Sequence, residues 1–132
     1  MTGLIEAKTA DLVGEQLAWT VAKAEGLDVL LEPPQYGNPW RVFVRRVGEA
    51  TTRLERYNPH EDWALSGPLI RENGISLHAP QHAQDCWAAW ATIDGKEVVM
   101  GGDTEIIAAC GVIVAAKLGD AVQVPKELMP CS

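Results

Sequence analysis

Three side chains able to bind metal or act as nucleophiles recur at four-residue intervals: His78, His82 and Cys86, with Asp85 beside the last. On a regular helix this spacing would align two imidazoles and a thiol on one face, as zinc ligands require. Pro80 lies between the histidines and cannot sit inside a regular helix. We therefore expect a solvated connection here, with no metal and no cofactor bound.

The same segment could in principle supply a cysteine–histidine nucleophilic pair made of Cys86 and His82. A reactive cysteine needs an electropositive, partly exposed setting that favours the thiolate. Cys86 instead opens the apolar run CWAAWATI. We expect its thiol to be buried in a strand and unreactive.

A second polar group, His60-Glu61-Asp62, contains residue types suited to acid–base chemistry. Its alternative role is structural, because Asp62 can cap a helical turn that begins at Trp63. We favour the capping role. The segment nevertheless supports an alternative function, a small enzyme or ligand-binding protein with a site around Tyr57–Pro68.

The run Gly101-Gly102-Asp103-Thr104 stands between a predicted strand and a predicted helix, where phosphate-binding loops occur. It has neither the Gly-x-Gly-x-x-Gly pattern nor the Walker lysine. Asp103 would also repel an anion. A tight strand-to-helix turn is the simpler interpretation.

A cluster of arginines raises the possibility of nucleic-acid binding by a hairpin at residues 40–57. The chain carries a formal charge of −7, which opposes such binding overall. Trp40 or Tyr57 could stack on bases, but arginines also commonly occupy the solvent faces of strands. We keep this function as an alternative and expect no tight binding of nucleic acid. The clustered arginines are Arg41, Arg45, Arg46, Arg53 and Arg56.

Composition limits the remaining possibilities. A chain of 132 residues with 47% apolar residues fits one domain with a substantial core. Its three cysteines form no Cys-x-x-Cys pair, which favours a reducing compartment. No signal peptide is evident, and the longest uncharged apolar run, Ile106–Ala116, is too short to span a bilayer. We expect a soluble cytoplasmic protein without membrane contact.

Two helices can be placed with their ends. The first runs over about 13–25, where Val13, Leu17 and Val21 form an apolar stripe and Gly26 terminates it. Thr9 or Asp11 could cap its start. The second runs over about 104–118 and ends before a glycine.

Two hairpins supply most of the expected strands. Residues 40–47 and 53–57 form the first, and residues 86–93 and 96–100 form the second through an Asp-Gly turn. A short strand covers 75–79, residues 31–39 are a loop, and residues 58–73 are irregular and partly helical. The fold class is therefore α+β, with an antiparallel sheet built from hairpins and two main helices packed on one face.

The second helix is unusual because Ile106–Ala116 is apolar on every side. In a water-soluble protein such a helix must be covered from several directions. One small sheet provides too little cover. We therefore predict a homodimer formed through this helix or the sheet edge beside it.

Four segments, in order, resemble NinX-like phage proteins, a family of unknown function. They are AWTVAKAEG, YNPHEDWALSGPLIRENGISL, GDTEIIAACGVIVAAKLGD and VQVPKEL. The resemblance extends over nearly the whole chain. It implies a phage or prophage origin and an accessory role in the host cytoplasm, and it implies no particular reaction.

Together these observations favour a non-enzymatic phage accessory protein that acts through contacts with another phage or host protein. We expect Tyr57–Ile70 to be an ordered loop anchored on the surface by Trp63. Its rigid backbone makes it the best candidate for a partner or ligand site. The candidate binding residues are Tyr57, Asp62, Trp63, Ser66, Gly67 and Pro68.

Overall fold

The computed structural model describes residues 3–129, which contain three α-helices and eight strands. All strand pairs are antiparallel, so the α+β prediction is confirmed. Single 3-10 turns follow the first and last strands. The elements in chain order are β1 (Leu4–Lys8), α1 (Glu15–Ala24), β2 (Val29–Glu32), β3 (Arg41–Val47), β4 (Thr52–Arg56), α2 (Trp63–Asn73), β5 (Ser76–His78), β6 (Trp87–Ile93), β7 (Lys96–Gly102), α3 (Glu105–Leu118) and β8 (Ala121–Pro125).

The strands form three small sheets where one was expected. Their orders are β1-β8, β2-β3-β4 and β5-β6-β7. The helix α3 packs against β6 and β7 on one side and against α1 and α2 on others. A helix that is apolar all round needs neighbours in several directions, and one sheet on one face cannot supply them.

The chain itself covers α3. Ile106 and every residue from Ala108 to Ala115 are buried. Thr104 caps the helix by accepting a hydrogen bond from the backbone N–H of Ile107 at 3.2 Å. The apolar surface that suggested a homodimer is thus already covered within one chain, and the homodimer stays a prediction.

The turn before α3 brings the end of β7 into close contact with that helix. A Cβ atom on Gly102 would lie 2.7 Å from the backbone nitrogen of Ala108 and 2.8 Å from Cγ2 of Ile107. Such distances are shorter than any tolerated contact, so only glycine fits without movement. This supports the strand-to-helix turn over the phosphate-loop reading.

The helix α1 begins at Glu15, two residues later than predicted, with Gly14 rather than Thr9 or Asp11 at its N-cap. Val13, expected in the apolar stripe, precedes the helix and is exposed. The C-terminal prediction is confirmed. Gly26 has a φ of 72°, and the N–H of Leu27 donates to the carbonyl of Ala22 at 3.0 Å.

The two hairpins form where predicted. At the β6–β7 turn both Asp94 and Gly95 have positive φ, 51° and 79°, as the common two-residue hairpin requires. The strands β1 and β2 were not expected, and β2 takes the first residues of the predicted 31–39 loop. Both are short and mostly exposed or half-buried, so neither shows a clear alternating pattern.

The segment predicted to be irregular and only partly helical contains a full helix, α2. Gly67 and Pro68 in its interior argue against a helix on local grounds. Strong end signals outweigh them: Asp62 caps the start, and Gly74 adopts a φ of 62° at the end. Packing against α3 then supplies the tertiary stabilisation that local propensity does not.

Two glycine-to-alanine substitutions should have opposite effects on stability. Gly102→Ala forces a methyl group into the backbone of α3 and should lower the free energy of unfolding by about 1–3 kcal/mol or more. Gly67→Ala has no atom within 4 Å of the new methyl and should raise that free energy by about 0.5–1 kcal/mol. Urea denaturation followed by tryptophan fluorescence measures both. Equal stability of the two variants would contradict the close packing described.

Candidate functional site

The predicted site residues lie on α2 and the chain entering it. Tyr57 follows β4 and is buried, Asp62 is the N-cap of α2, and Ser66 is buried within the helix. Gly67 and Pro68 lie in its second turn. The segment Tyr57–Ile70 is therefore ordered, but as a helix with a short lead-in rather than as a loop.

The prediction that Trp63 anchors this segment is wrong. Trp63 begins α2 and is 50% exposed, whereas Tyr57 and Leu69 are buried in the hydrophobic core. Formation of the helix places Leu69 on the side facing the core and leaves Trp63 toward solvent. Trp63 is consequently an accessible aromatic side chain.

Two of the predicted binding residues are used within the helix itself. The Asp62 carboxylate accepts a hydrogen bond from the backbone N–H of Ala64 at 2.9 Å, which confirms its capping role. The Ser66 hydroxyl donates to the carbonyl oxygen of Asp62 at 3.1 Å. Ser66 is thus directed into α2 and does not border a recess.

A recess of about 360 Å³ lies between α2, the end of α1 and the β3–β4 sheet. Tyr57 and Pro68 are the predicted residues that line it. A neighbouring shallow depression is bordered by Gly67 and Pro68 with Arg71 and Glu72. The side chains that line the recess are Glu25, Leu27, Arg46, Tyr57, Ala64, Leu65, Pro68, Leu69 and Glu72.

Several of the side chains that line the recess are apolar, and its charged groups differ in how they are paired. Glu25 forms an ion pair with Lys117, and Arg46 lies 3.5 Å from Glu55. Glu72 forms no ion pair with any described residue. One carboxylate at this rim is therefore available to a cation from outside.

Tyr57 presents a neutral phenol to the recess. Burial raises the pKa of its hydroxyl well above the usual value, and the negative charge of Glu25 adds to the increase. At neutral pH the group can donate or accept a hydrogen bond but carries no charge. A neutral phenol at this position offers a ligand hydrogen bonding and no charge.

A second group of ionisable side chains joins α1 to the hairpin. One Glu15 oxygen lies 2.6 Å from Nη2 of Arg56, and the other accepts the backbone N–H of Val42 at 2.8 Å. Nη1 of Arg56 donates to the carbonyl of Val42 at 3.0 Å. This set of contacts fixes the first turn of α1 against β3 and β4.

His60 lies beside that ion pair and is only 8% exposed. Its Nε2 is 3.9 Å from an oxygen of Glu15 and 3.9 Å from an oxygen of Glu61, too far for hydrogen bonds. Its Nδ1 is buried without a partner. Burial lowers the pKa of His60 despite the nearby carboxylates, so the imidazole is neutral at pH 7.

Glu61, unlike His60, is held by a hydrogen bond to a neighbouring side chain. Nδ2 of Asn58 donates to its Oε1 at 2.9 Å, and this hydrogen bond is the main cause of its lowered pKa. The sequence placed His60 and Glu61 together but did not connect them to Glu15. A glutamate in a first helical turn usually reflects the helix dipole, so no local signal distinguishes it.

The array of His78, His82 and Cys86 does not converge. His78 ends β5, and His82 and Cys86 lie on the exposed connection to β6. Cys86 is exposed, so the expectation of burial is wrong, because the strand begins one residue later at Trp87. Cys110 instead has a buried thiol, and burial raises the pKa of this thiol to about 12. Cys131 lies outside the described residues.

Most of the clustered arginines face acidic partners. Arg41 lies over the ring of Phe43, 5.3 Å from its centroid. This pairing removes much of the positive surface on which the nucleic-acid alternative depended. The ion pairs are Arg45–Asp28 (3.5 Å), Arg46–Glu55 (3.5 Å), Arg53–Glu55 (2.9 Å), Arg56–Glu15 (2.6 Å) and Arg56–Glu61 (3.9 Å).

Within residues 3–129, none of the helices combines the length and apolar character needed to cross a bilayer.

Acidification should destabilise the protein through His60. Below pH 6.5 the unfolded chain binds a proton at this imidazole while the folded chain resists doing so, because burial lowers its pKa. The free energy of unfolding should therefore fall as the pH drops from 6.5, by at most about 1.4 kcal/mol per unit. Denaturant titrations at several pH values measure the slope.

The variants His60→Gln and His78→Gln separate this effect from general acid sensitivity. His60→Gln should flatten the slope just below pH 6.5, and His78→Gln, at an exposed position, should leave it as in the parent. An unchanged slope in His60→Gln would show that another group governs the response.

Comparison with known proteins identifies the family. A family model described as Bacteriophage P22, NinX matches residues 8–117. The matched region contains the first two segments that suggested the resemblance and most of the third, whereas VQVPKEL lies beyond it. A search of curated proteins found no match. Because the match covers most of the sequence, with α1, α2 and all but the last residue of α3, the chain belongs to the NinX family of phage proteins.

Proposed function

We propose that this protein is a non-enzymatic accessory factor that works in the cytoplasm of the infected host by binding another protein at the recess beside α2. The observation that carries the proposal is a recess lined in part by apolar side chains, with the carboxylate of Glu72, which has no ion pair within residues 3–129, on the helix that also presents Trp63. Exposed tryptophans are the residues that most often dominate binding energy at protein interfaces.

The size of the recess favours a protein segment as its occupant. Sites for cofactors and drug-sized ligands span roughly 300–1,000 Å³, and a recess of about 360 Å³ is at the small end of that range. It has room for one or two side chains. The surrounding surface of α2, including Trp63, then supplies the wider contact that a stable complex needs.

Charge indicates the kind of segment that fits. The chain carries a net charge of −7, and Glu72 lies at the rim without a partner. We therefore propose a segment that places an apolar side chain against Leu65 and Leu69 and a lysine or arginine near Glu72. Complementary charge of this kind mainly speeds association and selects among partners.

The enzymatic alternative receives less support. His60 is the one buried imidazole in residues 3–129, yet no hydroxyl or thiol among these residues is hydrogen-bonded to it. Catalysis by a nucleophile requires such a pair. Tyr57 is a neutral phenol and Ser66 is committed to α2, so neither supplies the missing group.

Partner binding should depend on Trp63 and Glu72. A photoreactive benzophenone side chain at position 63 should cross-link one phage or host protein in infected cells, and the same group at Tyr36, which is 95% exposed, should not. With the purified partner, Trp63→Ala should weaken binding at least about tenfold. Glu72→Gln should weaken it about threefold and reduce its salt dependence.

Tyr36→Ala is the matched control, because it removes an exposed aromatic ring from the connection between β2 and β3, outside α2, and it should bind as the parent does. Trp63→Ala should also fold normally, with a loss of less than about 1 kcal/mol, since the ring is half exposed. Binding that survives both Trp63→Ala and Glu72→Gln would refute the proposal, as would cross-linking to nucleic acid alone.

Self-association is a separate proposal. With α3 covered, a homodimer would have to use the outer face of the sheet beside it, where Trp90 pairs with Val99 and both are exposed. Light scattering during gel filtration at tens of micromolar should give a dimer mass that Val99→Asp converts to a monomer mass. A monomer mass for the parent chain would exclude the dimer.

A further inference from the structure

The imidazole of His60 is unsatisfied in a way that buried histidines rarely are. It is more than nine-tenths buried, its Nδ1 has no partner, and its Nε2 has only two carboxylate oxygens at 3.9 Å. Leaving a buried polar group without a hydrogen bond costs about 1–3 kcal/mol. An ion at Nε2 would leave Nδ1 as it is, so the evidence for a ligand position is the other nitrogen, Nε2, which faces both carboxylates at 3.9 Å without a hydrogen bond among residues 3–129.

The surrounding atoms have the character of metal ligands. Nε2 of His60 and one oxygen each from Glu15 and Glu61 lie within 4.8 Å of one another. A tetrahedral zinc ion with bonds of about 2.0–2.2 Å holds neighbouring ligands about 3.3 Å apart. The two His60-to-carboxylate distances of 3.9 Å therefore need to shorten by only about 0.6 Å.

The side chains are able to make that movement. Glu61 is 58% exposed, and its ligand oxygen, Oε2, is not the one that Asn58 holds. Glu15 is fixed by the N–H of Val42 on its other oxygen. One rigid carboxylate and one adjustable carboxylate beside a neutral imidazole form a set that can close around an ion.

We propose that Glu15, His60 and Glu61 form a binding site for a divalent transition-metal ion of the Zn²⁺ type, with a remaining position open to water. Three protein ligands of nitrogen and oxygen type with one open position are a common zinc arrangement. The site is distinct from the recess and does not depend on the binding function proposed for α2.

Arg56 limits the metal affinity that we expect of this site. Its Nη2 lies 2.6 Å from the ligand oxygen of Glu15, where it acts as an outer donor that orients the carboxylate. Its positive charge also opposes the incoming cation. Two carboxylates and one guanidinium leave a net charge of −1, so we expect micromolar affinity rather than the tighter binding of structural zinc sites.

Metal binding would join the first turn of α1 to the residues that lead into α2. Glu15 lies on α1, and Glu61 immediately precedes the N-cap Asp62. The ion would restrain the start of the helix that presents Trp63. The partner surface and the metal site would then be mechanically connected.

The test uses the full chain with Zn²⁺ and, as a spectroscopic probe, Co²⁺. Competition against a chromophoric chelator should give one ion per chain, and Co²⁺ should produce visible absorption of a low-coordinate site. Glu61→Gln, at an exposed position, should weaken binding at least about tenfold while the protein stays folded. In NMR spectra, Zn²⁺ should shift the ring signals of His60 selectively.

The double variant His78→Gln/His82→Gln is the control, because it removes the exposed imidazoles that bind zinc adventitiously, and it should retain the site. Absence of saturable binding up to about 1 mM Zn²⁺ would overturn the proposal. So would binding that is lost in this double variant, or binding that Glu61→Gln leaves unchanged.

Discussion

The helix α3 has almost no polar face between Ile106 and Ala115, and the placement of the other elements follows from the need to keep it out of water. The β6–β7 hairpin covers one side, and α1 and α2 cover others. At Gly102 the covering is so close that a side chain does not fit. Three small sheets around one apolar helix satisfy this requirement better than a single sheet with helices on one face.

Once α1 and α2 are packed on α3, one ion pair determines how the arginine-rich hairpin joins them. Arg56 binds Glu15 and the carbonyl of Val42, while Glu15 also accepts the N–H of Val42. A partly buried pair of this kind adds little net stability, but loss of one member leaves the other uncompensated. The pair joins the hairpin to α1 beside His60, whose Nε2 lies 3.9 Å from oxygens of Glu15 and Glu61.

The sequence predicts features that depend on local signals and misses those that depend on distant contacts. The cap at Thr104, the glycine after α1 and the Asp94-Gly95 turn each specify an element end, and those elements form as expected. The full length of α2 was not predicted because Gly67 and Pro68 oppose a helix locally while α3 supports it from a distance. Trp63 was misjudged for the same reason, since its exposure depends on how that helix is rotated.

In the candidate site, too, local signals were predictable and contacts between distant segments were not. The family resemblance and the restricted backbone predicted a site at residues 57–70, and Tyr57 and Pro68 line the recess. Glu15, Glu25 and Arg46 could not be assigned to it or to the neighbouring His60 group, because they come from elements brought together only by folding. Local patterns identify the segment that presents a surface, whereas the surface itself is assembled from four separate parts of the chain.

The most direct test of the binding function is hydrogen–deuterium exchange of the protein with and without its cross-linked partner. If the partner occupies the recess, exchange should slow in the amides of Trp63–Asn73 and in the adjoining part of β3, because these segments contribute side chains to the recess. Exchange that slows only on the outer face of β6 and β7, with α2 unaffected, would contradict it.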